Sequence, residues 1–288
     1  MQILLDGLSR EQADTFGLVL LSSGIQHEIR QGGKGWVLWV AEEALEAAET
    51  LLKTYLDENK DFKSEKETSW TGYRKTWAGA WGMLVLLVFH LAILGQDTGA
   101  FHRLYGSSAR HIVNGEWYRS ATALLLHADS MHLAGNLVGM AIFATGVCSI
   151  TGWGVGWLLI LASGISGNLI NAYAYGYGHN SIGASTAVFG ALGLLSSYQF
   201  LKKTQTPRTR FQALLPLGAG LALLAFLGSS SHTDIMAHLF GFLSGVAIGF
   251  VYYWFIRYPL EWRFQLGAFF SVIALMVAAW FGPILGSS

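Results

Sequence analysis

The chain of 288 residues is 52% hydrophobic and only 12% charged, and its 18 basic and 18 acidic residues leave a net charge of zero. A soluble domain carries about a quarter charged residues, yet between Asp129 and Lys202 there is no Asp, Glu, Lys or Arg. That stretch excludes a soluble core and requires several spans of about 20 apolar residues each, while the balanced charge and lack of a basic stripe exclude a nucleic-acid partner. The single cysteine, Cys148, lies in an apolar run, can form no intrachain disulfide and reads as a small buried residue. Asp6, and the absence of a basic segment followed by an apolar block, argue against a cleavable signal.

Residues 1–60 differ in kind from the rest. "QILL" (2–5) is a short strand, and "SREQ" (9–12) has the Ser-x-x-Gln form of a capping box that opens a helix through about Leu21. "IQHEIR" (25–30) and "GWVLWV" (35–40) read as strands around the turn "QGGK". "EEALEAAETLLKTYL" (42–56) begins with acids and repeats apolar residues at helical spacing. The order βαββα predicts a small α+β soluble domain, too small for a large core of its own. The polar run 57–69 reads as linker, and the domain division places the linker at 61–76.

Seven apolar spans follow, at about 77–95, 132–150, 153–173, 183–201, 211–228, 235–256 and 264–285. Arg74 and Lys75 precede the first; Lys202, Lys203, Arg208 and Arg210 join the fourth to the fifth; Arg257 and Arg263 join the sixth to the seventh. If the spans alternate, these clusters share one face, which the positive-inside bias makes cytoplasmic. The soluble domain is then cytoplasmic and the C-terminus outside. The loop between spans one and two carries Arg103, Arg110 and Arg119 yet falls outside. Glu116, Asp97 and Asp129 accompany them, and its half-apolar "NGEWYRSATALLLHADSMH" suits a segment lying partly in the interface. The fold class is an all-α polytopic membrane protein with an appended α+β domain. A compact chain without a targeting segment points to a bacterial inner membrane.

Polar side chains inside spans are costly and therefore informative. In this topology His132 and Asn136, four apart on span two, Ser185 at the start of span four, and His238 at the start of span six all lie at the outer end. Acyl transfer is the chemistry these groups offer. A serine hydroxyl becomes nucleophilic when a neutral imidazole takes its proton. A tetrahedral oxyanion needs preorganised donors, which Asn136, His132 and an amide at the helix N-terminus can supply. Asp234 reads as the N-cap of span six rather than a third catalytic group. His238, Gly241 and Gly245 share a face, and the GxxxG pair allows close helix approach. The small residues of "GASTAVFGALG" can fill that groove, with Phe189 one turn below Ser185. Each element has a plainer reading: a serine bonded to a carbonyl one turn back, a glycine pair for packing alone, a histidine linking helices. His27, His90, His102, His111, His179 and His232 take the structural reading.

The motifs, in order, resemble those of the rhomboid intramembrane serine proteases over residues 77–257, with 258–288 as a seventh helix and tail. "EWYR" with Arg119 is similar to the family's first-loop arginine motif, and "HLAGN" to its His-x-x-x-Asn, with His127 matching an upstream loop histidine. "GAST" approximates Gly-x-Ser-Gly, giving Gly183 and Ser185. "AHLFG" matches Ala-His-x-x-Gly, giving His238 and Gly241, with Gly245 beyond. The resemblance implies a rhomboid-like six-helix core plus one C-terminal helix. It also implies a Ser185–His238 dyad without an aspartate, and an oxyanion hole of Asn136, His132 and the Ser185 amide. Loop 228–234 would be a mobile cap, and no cofactor or metal would be needed. Substrates would be transmembrane proteins with helix-unwinding segments, met in the lipid bilayer, and the N-terminal domain could take a cytoplasmic partner. Two positions depart from the pattern: Thr186 stands at a usual glycine, and Phe189 at a tyrosine that stacks on the histidine. The alternatives are a catalytically silent rhomboid-like protein that binds membrane clients, and a zinc site from His127, His132 and His238. A transporter is disfavoured by spans without an ion-coupling acid.

Overall fold

Ser9 and Gln12 open the first helix as their spacing predicts: the Ser9 hydroxyl accepts from the Gln12 amide at 3.2 Å, and the Gln12 side chain accepts from the Ser9 amide at 2.9 Å. The computed structural model describes residues 1–33, 35–59, 74–204, 214–215, 217–222, 234–256 and 258–285. It divides into two units, Met1–Ser69 and Trp70–Ser288. In the first, β1 (Gln2–Leu8), α1 (Arg10–Ser22), β2 (His27–Gly32), β3 (Gly35–Val40) and α2 (Leu45–Glu58) follow the βαββα order. The sheet is antiparallel with order β1-β3-β2, and the hairpin register runs from His27 opposite Val40 to Gly32 opposite Gly35. Leu20, Leu38, Val40, Ala48 and Leu52 form the core between sheet and helices.

The second unit is helical. It comprises α3 (Ala78–Ile93), the short helices α4 (Thr98–Tyr105), α5 (Ala109–Val113) and α6 (Arg119–Thr122), and then α7 (Ser130–Thr151) and α8 (Trp153–Tyr175). α9 (Ser185–Thr204), α10 (Ile235–Phe255), α11 (Trp262–Trp280) and the short α12 (Gly282–Leu285) follow among the described residues. Among the described residues α7, α8, α10 and α11 are long and apolar enough to cross a membrane. Helix α3 has 16 residues, about 24 Å at 1.5 Å per residue, shorter than the first span read from the sequence. Span five and the loop after it lie almost wholly outside the described residues, as does most of the linker.

Glycine decides how the central helices meet. A Cβ on Gly241 would strike the Thr186 carbonyl oxygen, one on Gly245 the Gly190 carbonyl oxygen, and one on Gly249 the Ser197 side chain at 2.9 Å. From the other side, a Cβ on Gly193 would strike the Phe242 carbonyl. Helices α9 and α10 therefore pack backbone against backbone at four-residue intervals, the close approach that small residues permit where no water drives association. Ser197 Oγ donates across the seam to the Val246 carbonyl at 2.9 Å. Helix α8 joins them, with Gly164 against Ala187 and Gly167 against both Gly241 and Thr186.

The loop between α3 and α7 is built around Arg119, which is buried and held by Glu116 at 2.6 Å and by the Arg103 carbonyl at 2.6 Å. Burial opposes ionisation of Glu116, but hydrogen bonds from Arg119 and Tyr118 and the arginine charge outweigh it and lower its pKa. A short ladder, β4 (Ser107–Ser108) with β5 (Asn180–Ser181), ties this loop to the segment entering α9.

One buried amide ties α11 to the start of α8. Gln265 Oε1 accepts from the Gly154 and Val155 amides at 2.9 and 3.0 Å, in the first turn of α8. Its Nε2 donates to the Thr151 and Leu260 carbonyls at 3.0 and 3.2 Å. The two amides and the Thr151 carbonyl are helix-end groups that no intrahelical bond satisfies. Gln265→Leu strips several buried groups of partners at once, at about 1–3 kcal/mol each. We expect the thermal unfolding midpoint in detergent to fall by several degrees, and an unchanged midpoint would refute the anchoring role.

Candidate active site

Ser185 is the first residue of α9, so the amides of its turn have no intrahelical acceptor and the helix dipole is positive there. Gly183 precedes it with φ +125°, a backbone region that favours glycine. A Cβ at Gly183 would sit 2.6 Å from His132 Nε2 and 3.5 Å from Asn136 Nδ2, so the missing side chain admits both groups to the loop before Ser185. The Gly183 amide donates to the Ala123 carbonyl at 3.0 Å, fixing the loop against the turn after α6.

His238 enters from α10. Asp234 caps that helix, its Oδ1 accepting from the Ala237 amide at 3.0 Å, as its position before an apolar run predicts. His238 is buried, and its Nε2 lies 2.8 Å from Ser185 Oγ. Its Nδ1 has no partner among the described residues. Phe189 lies one turn after Ser185 with its ring centroid 4.6 Å from the His238 ring at 31°. The ring contact needs no hydroxyl, so phenylalanine serves here.

His132 and Asn136 share the first turns of α7, which Asp129 caps by accepting from the His132 amide at 2.8 Å. Asn136 is buried and its Nδ2 donates to the His132 carbonyl at 3.1 Å. His127, in the loop before α7, is buried against His132 with ring centroids 5.3 Å apart. Burial, then the neighbouring His132, push its pKa down to about 4. A neutral ring can accept, and the Ala184 amide points at its Nε2 across a long 3.5 Å. Among the described residues no group of three His, Cys, Asp or Glu side chains is arranged to hold a metal ion.

Thr186 is 2% exposed, and its methyl group fills the space left by Gly167 and Gly241, whose absent Cβ positions lie 2.7 and 2.9 Å from it. It is taken up by the junction of α8, α9 and α10. Arg119 is bonded within the loop framework, to Glu116 and the Arg103 carbonyl, while Gly241 and Gly245 act through the helix seam. Gly167 and Gly164 carried no sequence signal beyond being small.

A buried imidazole against a half-buried serine at the head of a helix, inside a bundle of apolar spans, defines an integral membrane protein with the layout of an acyl-transfer site. A model of the Rhomboid domain matches residues 114–255, and the chain belongs to the rhomboid family. YdcA of Bacillus subtilis is 29% identical over 56% of this chain and 77% of its own length. Rhomboid protease GluP of the same organism is 28% identical over 71% of this chain. Inactive rhomboid protein 2 of Homo sapiens is 28% identical over 59%. The matches span only 40% of GluP and 20% of the human protein.

Proposed function

We propose that the chain is an intramembrane serine endopeptidase that cleaves transmembrane proteins in or beside a membrane segment. The observation that carries this reading is the 2.8 Å approach of His238 Nε2 to Ser185 Oγ. With its proton on Nδ1, His238 accepts the serine proton through Nε2 as Oγ attacks the scissile carbonyl. The oxyanion is received by the Ser185 amide, Asn136 and His132. His238 then gives the proton to the leaving amine, and an acyl-serine remains. A water, deprotonated by the same imidazole, attacks the acyl carbon and frees the second product. His127, Gly183 and Phe189 hold this arrangement. Both proton transfers run through His238 Nε2, and no carboxylate takes part.

Basic residues before α3 and at the end of α9 support a cytoplasmic N-terminal unit, with the site at the opposite face of the bilayer and the C-terminus beyond it. A bacterial inner membrane and a cytoplasmic partner for the N-terminal unit belong to the same reading. The test is purified protein in detergent or liposomes, given a model transmembrane substrate and a fluorophosphonate probe. We expect cleavage, and a single covalent adduct that peptide mass mapping assigns to Ser185. Client binding with neither cleavage nor adduct would replace this reading with that of a silent rhomboid-like protein.

Asn136→Ala removes one oxyanion donor. Such donors contribute about 10²–10³ in kcat, so initial rates in liposomes should fall by that factor with KM nearly unchanged. An unaltered kcat would exclude Asn136 from the oxyanion hole.

A further inference from the structure

The segments that carry Ser185 and His238 touch a second time, through side chains with no part in proton transfer. Asp234 needs only Oδ1 to cap α10; its Oδ2 accepts from His179 Nε2 at 2.6 Å and from Asn171 Nδ2 at 2.8 Å. His179 immediately precedes β5, the strand that runs toward Ser185, and Asp234 lies one helical turn before His238. Asn171 is buried near the end of α8. The His179 ring stacks on Tyr175 with centroids 4.1 Å apart at 12°, and its carbonyl accepts from the Ala109 amide at 2.9 Å. Its place is therefore fixed from α8 and from the first loop independently of Asp234.

We propose that Asp234, His179 and Asn171 are positioning residues, forming a tie that sets the approach of His238 to Ser185. The tie joins the two segments whose separation decides that distance, and anchors both to α8. Helix capping alone leaves Oδ2 without a task. Burial opposes ionisation of Asp234, but the Ala237 amide, His179 and Asn171 outweigh it and lower its pKa, so the acceptor at neutral pH is a carboxylate.

The inference rests on the protease reading, and its test separates the two. Asp234→Ser keeps a good N-cap but is too short to reach His179 and Asn171. His179→Leu removes the donor, and His179→Gln restores one. In the full-length protein, the rate of fluorophosphonate labelling of Ser185, kcat and KM on a model transmembrane substrate, and the thermal unfolding midpoint are measured together. A misplacement near 1 Å costs about 10²-fold. We expect Asp234→Ser and His179→Leu to lower labelling and kcat by about 10- to 100-fold with KM little changed. His179→Gln should return most of the loss, and the Asp234→Ser/His179→Leu double variant should fall no further than either single. Labelling by Asp234→Ser at the wild-type rate would overturn the tie while leaving the protease reading intact. Losses that follow the unfolding midpoint across all variants, without rescue by glutamine, would also overturn it. Wild-type protein that is never labelled would remove both.

Discussion

Replacing His238 with alanine is expected to lower kcat on a transmembrane substrate by about 10⁴-fold or more, the scale found when one member of a serine–histidine unit is lost. The imidazole lies 2.8 Å from the hydroxyl it would deprotonate, and no other described side chain is hydrogen-bonded to Ser185 Oγ. Ser185→Ala should lose as much. The Ser185→Ala/His238→Ala double variant should lose no more than either single, because the second group has nothing to act on once the first is gone. Initial rates of the three variants make the comparison, with unfolding midpoints as a control for the cavity left beside Phe189. A double variant much slower than both singles would show that the two residues act separately.

Gly245→Val is expected to damage the fold severely. A Cβ there would overlap the Gly190 carbonyl oxygen, which is backbone and cannot rotate away. Overpacking a filled core typically costs about 1–3 kcal/mol, and we place this variant at about 3 kcal/mol or more because the obstacle is another helix's main chain. Thermal unfolding in detergent measures it. Activity should disappear as well, since α9 carries Ser185 and α10 carries His238. A folded, active Gly245→Val protein would mean that the seam can open without moving either residue.

Much of this was legible in the residues because membrane spans restrict what a polar group can do. Ser185, His238, His132 and Asn136 stood out as uncompensated polar positions, and simple alternation of spans brought them to one end. Gly241 and Gly245 were visible as a packing pair, and Ser9–Gln12 as a capping box. The partners of Asp234 were not visible: its capping role follows from local spacing, whereas Asn171 and His179 reach it only after α8 and the strand before Ser185 have folded back. Gln265 was hidden for the same reason, since a glutamine in an apolar helix gives no hint of which helix end it will satisfy. The short helices around Arg119 fell below the length at which apolar periodicity identifies an element.

The placement of Thr186 shifts attention from residue identity to shared volume. Its methyl group stands between two glycines on two other helices, so the three positions hold one methyl among them. With glycine after Ser185 that volume could not come from a side chain at 241, whose Cβ would strike the carbonyl of residue 186, so the helices would have to close on it or leave a void. The room at 186 is therefore set by bare backbone on two neighbouring helices, and a motif written for the nucleophile helix alone records one third of a three-helix constraint.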